Sequence, residues 1–138
     1  MNVLTLHTLP GDKGLLTTRR SNSSVRMDDA EILHIDGQGT VTSVLRGGYA
    51  PRFTSSGHLV FVRGGSLYAV DFDIDKLQTT GTPVRVLDGI ATDSVWAGAQ
   101  YDVSRNGVLV YLSRMAARHF LHVTASAFSV AMPSTSAR

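Results

Sequence analysis

The chain predicts an all-β fold of short antiparallel strands, on three observations. First, short β-prone apolar runs recur, among them HLVFV at 58–62, SLYAV at 66–70 and VLVYL at 108–112. Second, glycine-rich turns separate them; Gly64-Gly65 between two such runs signals a hairpin, because primed turns need positive φ. Third, one segment type recurs: TLPGDKGLLTTRR (8–20), FTSSGHLVFVRGG (53–65) and DVSRNGVLVYLSR (102–114). Each is a polar turn ending in glycine, a short apolar run and then arginine. The anchoring glycines Gly14, Gly57 and Gly107 stand 43 and 50 residues apart, about the length of one four-stranded blade.

The second repeat is the clearest. Phe53 ends a strand, Ser55-Ser56-Gly57 is a turn, His58–Arg63 is a strand, Gly64-Gly65 a tight turn and Ser66–Phe72 a strand. Alternation puts Leu59, Phe61 and Arg63 on one face and His58, Val60 and Val62 on the other. Both faces are mainly apolar, as in a strand buried between neighbouring sheets. DIDKLQTTGTP (73–83) reads as a polar loop and VRVLDG (84–89) as a short fourth strand. The unit therefore runs over about 49–89. The first unit, about 1–48, carries a polar insertion, RRSNSSVRMDD, and then two strands in AEILHIDGQGTVTSVLRGG, turning at Asp36-Gly37 or Gln38-Gly39. The third, 90–113, supplies the start of a unit. Residues 114–138 depart from the pattern and are expected to be irregular or, over 115–123, a short helix.

LRGGYAPRF, SSGHLVFVRGGSLYAVDFD, GTPVRVLDGI and GAQYDVSRNGVLVYLSR resemble the TolB-like, WD-repeat-like β-propeller modules of bacteria, which also form the C-terminal halves of some membrane serine/threonine kinases. The resemblance covers roughly residues 3–113. It implies antiparallel β-propeller-type blades, about two and a half of them. A closed propeller has about four to eight. The ring is thus expected to be incomplete unless the chain oligomerises, with self-association or a protein partner completing the sheet and hiding exposed edges.

Composition narrows the function classes. The chain has 138 residues, 43% of them hydrophobic and 17% charged, a net charge of +2 and no cysteine. Disulfides and thiolate chemistry are excluded. No apolar run approaches the length of a membrane span. The N-terminal stretch MNVLTLHTLPGDKG lacks the regions of a signal peptide, so a cytoplasmic location is expected. Basic residues are scattered rather than striped, so no nucleic-acid partner is expected. Neither a kinase signature nor a G-x-S-x-G elbow is present, and GDKGLLTT lacks P-loop spacing.

Four groups of residues could carry chemistry. Asp71, Asp73 and Asp75 alternate, which on a strand puts three carboxylates on one face, a start for a calcium site; the competing reading is a solubilising edge. His119 and His122 are spaced to share one face of a helix, as zinc ligands can be, though no third ligand lies nearby. His58 follows the turn glycine of the clearest repeat and is a candidate catalytic base or a structural residue. His7 and His34 read as strand residues satisfied by neighbours. Trp96, in a connection between units, is a candidate ligand or partner contact. Two functions are therefore expected. One is a non-catalytic propeller-type binding, interaction or sensing module. The other, by fold-level analogy with propeller lactonases, is a calcium- or zinc-dependent hydrolase of small lactones or esters such as acyl-homoserine lactones.

Overall fold

A computed structural model describes residues 2–20, 27–93 and 98–114 and, for the backbone alone, the strand at 125–129. The described residues form thirteen strands in four antiparallel sheets, none closed on itself. The first sheet is a four-stranded meander: β1 (Asn2–Thr8), β2 (Leu15–Arg20), β3 (Glu31–Ile35) and β4 (Val41–Arg46). The central sheet is a second meander: β5 (Tyr49–Phe53), β6 (His58–Arg63), β7 (Ser66–Asp73) and β8 (Gln78–Leu87). A small ribbon of β9 (Thr92–Asp93) and β10 (Gly98–Ala99) leads to a third sheet. That sheet holds β11 (Tyr101–Val103), β12 (Val108–Leu112) and β13 (Ala125–Ser129). Among the described residues no helix is long and apolar enough to cross a membrane.

The core explains the double apolar face of β6. Leu59 and Phe61, with Val70 and Phe72 of β7, pack on Leu16 and Ile32 of the first sheet. Val60 and Val62, with Leu67 and Ala69, pack on Tyr101 and Leu109 of the third. The central sheet is thus filled on both sides, as alternation in the sequence requires. The approach on the first side is close. A Cβ at Gly48 would come within 2.5 Å of the Phe61 ring, so only glycine fits there.

A bulge in β5 ties the stack together. The register jumps from Tyr49↔Val62 to Arg52↔Val60, which takes Ala50 and Pro51 out of regular pairing. Ala50 adopts φ 53°, uncommon for a residue with a Cβ. Its N–H donates to Thr18 Oγ1 of the first sheet at 3.0 Å. Its carbonyl accepts from the Tyr101 hydroxyl of the third sheet, which also reaches the Val60 carbonyl at 3.2 Å. Burial pushes the Tyr101 phenol far above its ordinary pKa, so it remains a donor.

Three expectations need correction. The supposed loop at 73–83 is mostly strand: β8 begins at Gln78, after a turn over residues 74–77. Its polar Thr-Thr-Gly-Thr-Pro stretch belongs to an exposed edge strand, and Pro83 sits where the β7–β8 register shifts, the place an edge tolerates proline. Next, β13 pairs along β12 inside the segment 114–138 expected to be irregular, while the helix expected over 115–123 lies outside the described residues. Its sequence, ASAFS, carries little β signal by itself. Finally, Gly14 is not the counterpart of Gly57. The turn bonds run Leu9 N–H to Gly14 O, Thr54 N–H to His58 O and Ser104 N–H to Val108 O. Gly14, His58 and Val108 are therefore equivalent, the first turn being one residue longer.

Replacing Tyr101 by Phe removes a fully buried donor and strands the Ala50 carbonyl. Urea denaturation is expected to show a loss of about 1–3 kcal/mol. A loss under a few tenths would mean that this hydroxyl does not hold the third sheet.

Candidate functional site

The turn bonds bring equivalent residues of the three repeats into rows. Two residues before each turn lie His7 of β1, Arg52 of β5 and Asp102 of β11. One residue before the turn lie Thr8, Phe53 and Val103. The first row forms a polar line along the leading strands. Arg52 Nε stands 3.3 Å from Asp102 Oδ1, and its guanidinium lies over the Tyr101 ring at 5.6 Å. His7 is half-buried beside Arg52. Burial lowers its pKa from 6.5 and the Arg52 charge adds to this, against the Asp102 carboxylate and a hydrogen bond to the Phe53 backbone.

Where the three strands end, a cleft of about 370 Å³ opens, within the range of small-ligand sites. Leu9, Phe53 and Val103 supply apolar wall; His7, Ser55 and Arg105 supply polar groups. Ser55 Oγ donates to the Arg105 carbonyl at 2.7 Å, which fixes the backbone of the third turn against the second. Arg105 enters none of the ion pairs formed by the described residues. A concavity on the outer face of the first sheet behaves differently: there Glu31 is already matched by Arg19, Arg46 and Ser43.

The sequence-predicted residues fall elsewhere. His58 is buried in a hydrogen-bonded chain. Thr54 Oγ1 and Ser56 Oγ are 2.8 Å apart, Ser56 Oγ lies 2.8 Å from His58 Nδ1, and His58 Nε2 lies 3.1 Å from Asp71 Oδ1. The residue types are those of a nucleophile, a base and an orienting acid. However, the serine faces Nδ1 and the acid Nε2, the reverse of the usual order. The N–H groups that follow Ser56 are also committed: Gly57 donates to the Thr54 carbonyl and His58 to Thr54 Oγ1. They cannot stabilise an oxyanion. The chain fastens the 54–58 turn to β7, where His58 lies directly opposite Asp71.

The three aspartates do separate work. Asp73 Oδ1 accepts the N–H groups of Asp75 and Lys76, both at 3.0 Å, which caps the β7–β8 turn. Strand β7 ends at Asp73, so Asp75 lies beyond it and pairs with Lys13 at 2.8 Å. That contact holds the Asp75 carboxyl below its ordinary pKa. Among the described residues no three His, Cys, Asp or Glu side chains gather as a metal ion requires. Trp96, His119 and His122 lie outside the described residues. His34 Nε2 meets the Lys13 carbonyl, as a satisfied strand histidine should.

No family model, curated protein or solved structure matches this chain.

The lowered pKa of His7 fixes the sign of a pH effect. Above 6.5 the imidazole is neutral folded and unfolded, and its contribution to stability is fully present. Below 6.5 the unfolded chain takes up the proton first, so stability falls until the folded pKa is passed. The thermal midpoint is expected to drop on acidification through this window, and His7→Gln to lose part of that drop. A ring-proton NMR titration of His7 with its midpoint above 6.5 would contradict the assignment.

Proposed function

We propose that the chain is a propeller-type binding module, and that the cleft at the ends of β1, β5 and β11 takes a small organic anion with an apolar body. The observation that carries this is the convergence of the equivalent residues Thr8, Phe53 and Val103 of three repeats on one cleft, with His7 and Arg105 beside them. The apolar wall suits a short hydrocarbon or ring. The Arg105 guanidinium, outside every ion pair of the described residues, suits a carboxylate, which it can meet with two parallel hydrogen bonds. His7 supplies a second polar contact. The stacking of three sheets, the central one buried on both faces, supports reading them as successive blades, in keeping with the resemblance to TolB-like and WD-repeat-like modules.

Titration with hexanoate and with the neutral hexanamide, followed by amide NMR shifts, tests this. Saturable shifts at Phe53, Val103 and Arg105 with hexanoate are expected, about tenfold weaker for Arg105→Gln, equivalent to about 1.4 kcal/mol. Equal binding of acid and amide, or no shift at these residues, would remove the anion site.

A further inference from the structure

The β7–β8 edge of the central sheet holds a cavity that the leading-strand cleft does not use. The two strands pair as Asp71↔Thr80 and again as Ala69↔Val84. Between those pairs lie three residues of β8, Gly81 to Pro83, but only Val70 of β7. The longer strand must therefore arch away from the shorter one. Gly81, at φ 81°, takes a conformation that a side chain would strain. A cavity of about 270 Å³ opens between the strands there. Its floor is fixed: Ala69 is buried, and His58 is 2% exposed. Its rim is open: Thr80, Thr82 and Val84 of β8 are all exposed. Asp71 stands between floor and rim, its side chain 36% exposed. One of its oxygens lies 3.1 Å from His58 Nε2, and Ser56 Oγ holds that ring from behind at 2.8 Å from Nδ1. Among the described residues the Asp71 side chain makes no other hydrogen bond or ion pair, and the Thr80 and Thr82 hydroxyls make none.

We propose that this cavity binds a short primary alkylammonium ion, with the Asp71 carboxylate as its counter-ion. An ammonium group carries three donors and no acceptor. One donor meets the second oxygen of Asp71, a charge-assisted bond of the stronger class. The other two suit the hydroxyls of Thr80 and Thr82. Ala69 and Val84 give the alkyl stem an apolar wall, and Val84 is 55% exposed without it. No cation of the chain competes from the rim. Arg85 follows Val84 but lies opposite Tyr68, on the other face of the sheet, with its guanidinium 3.5 Å from Asp88. The cavity is smaller than the sites that take drug-sized molecules, so the stem is short. Because a buried histidine and serine already hold the carboxylate in place, little side-chain freedom is lost when the ammonium arrives. The site shares no lining residue with the cleft and stands whether or not the cleft takes an anion.

Amide NMR titration of the full chain with n-butylammonium and with butan-1-ol tests the site, at about pH 8, above the ordinary imidazole range. Saturable shifts at Asp71, Thr82 and Val84 are expected with the ammonium and not with the alcohol. Asp71→Asn keeps an acceptor for His58 but removes the charge, and is expected to weaken binding about tenfold or more. Val84→Lys, at an exposed position, tethers a competing ammonium beside Asp71 and is expected to weaken binding as much. Circular dichroism checks folding; if Asp71→Asn does not fold, Val84→Lys decides. Equal binding of ammonium and alcohol overturns the proposal, as does an affinity unchanged in either folded variant or the absence of shifts at these residues. Binding of Nα-acetyl-lysine methylamide without binding of butylammonium also overturns it, because the edge would then be a surface for a protein side chain.

Discussion

The stack depends on one residue whose two backbone groups point in opposite directions. Ala50 gives its N–H to Thr18 of the first sheet and its carbonyl to Tyr101 of the third. Both partners are buried hydroxyls in otherwise apolar layers. A buried hydroxyl without a partner is costly, and a buried backbone group equally so. The bulge at β5 resolves both problems together. It withdraws residues 50 and 51 from the ladder, and at Pro51 there is no N–H to leave unsatisfied. The cost is a backbone at φ 53° on an alanine. The return is that the central sheet holds each neighbour by a directed bond as well as by apolar contact. Apolar packing alone would let the sheets slide; the two hydrogen bonds fix their offset.

That offset decides where equivalent side chains meet. Once the three leading strands are held side by side, the residues one and two places before each turn are forced into rows. The row next to the turn, Thr8, Phe53 and Val103, lines the cleft. The row behind it, His7, Arg52 and Asp102, is polar and interacts along its length. Neither row exists within a single repeat. Both are consequences of stacking, and both would shift if the bulge did.

How much of this was legible in the sequence follows from the range of each interaction. The β6–β7 hairpin was legible because alternation and Gly64-Gly65 are local. The double burial of β6 was legible for the same reason: two apolar faces on one strand need two neighbours. The offset of the first turn was not. LPGDKG and TSSG both end in glycine, and only the bonds from Leu9 and Thr54 show that one turn is longer. The strand character of 78–83 was hidden because an exposed edge needs no apolar pattern. The aspartate triplet looked like a site because spacing shows which face a residue takes but not where its strand ends. The cleft was invisible for a deeper reason: His7, Phe53 and Arg105 come from three repeats, and their meeting depends on the register between sheets.

The distribution of residue types along the repeats points to where a binding function can reside. Two positions that face a neighbouring sheet repeat their chemistry between the second and third repeats: Leu59 with Leu109 and Phe61 with Tyr111. Packing dictates them, since a change of even one methylene is felt in a filled layer. The positions just before the turns do not repeat: His7, Arg52 and Asp102 are three different ionisable types at one structural place. Side chains there meet the edge of the stack, so packing leaves them free to differ. The polar chain from Thr54 to Asp71 is the contrasting case. Its members bond to one another and tie the 54–58 turn to β7, so their first role is to stiffen the fold. Chemistry that varies where packing is silent, beside groups that are not already spent, is found in this chain at the leading-strand cleft.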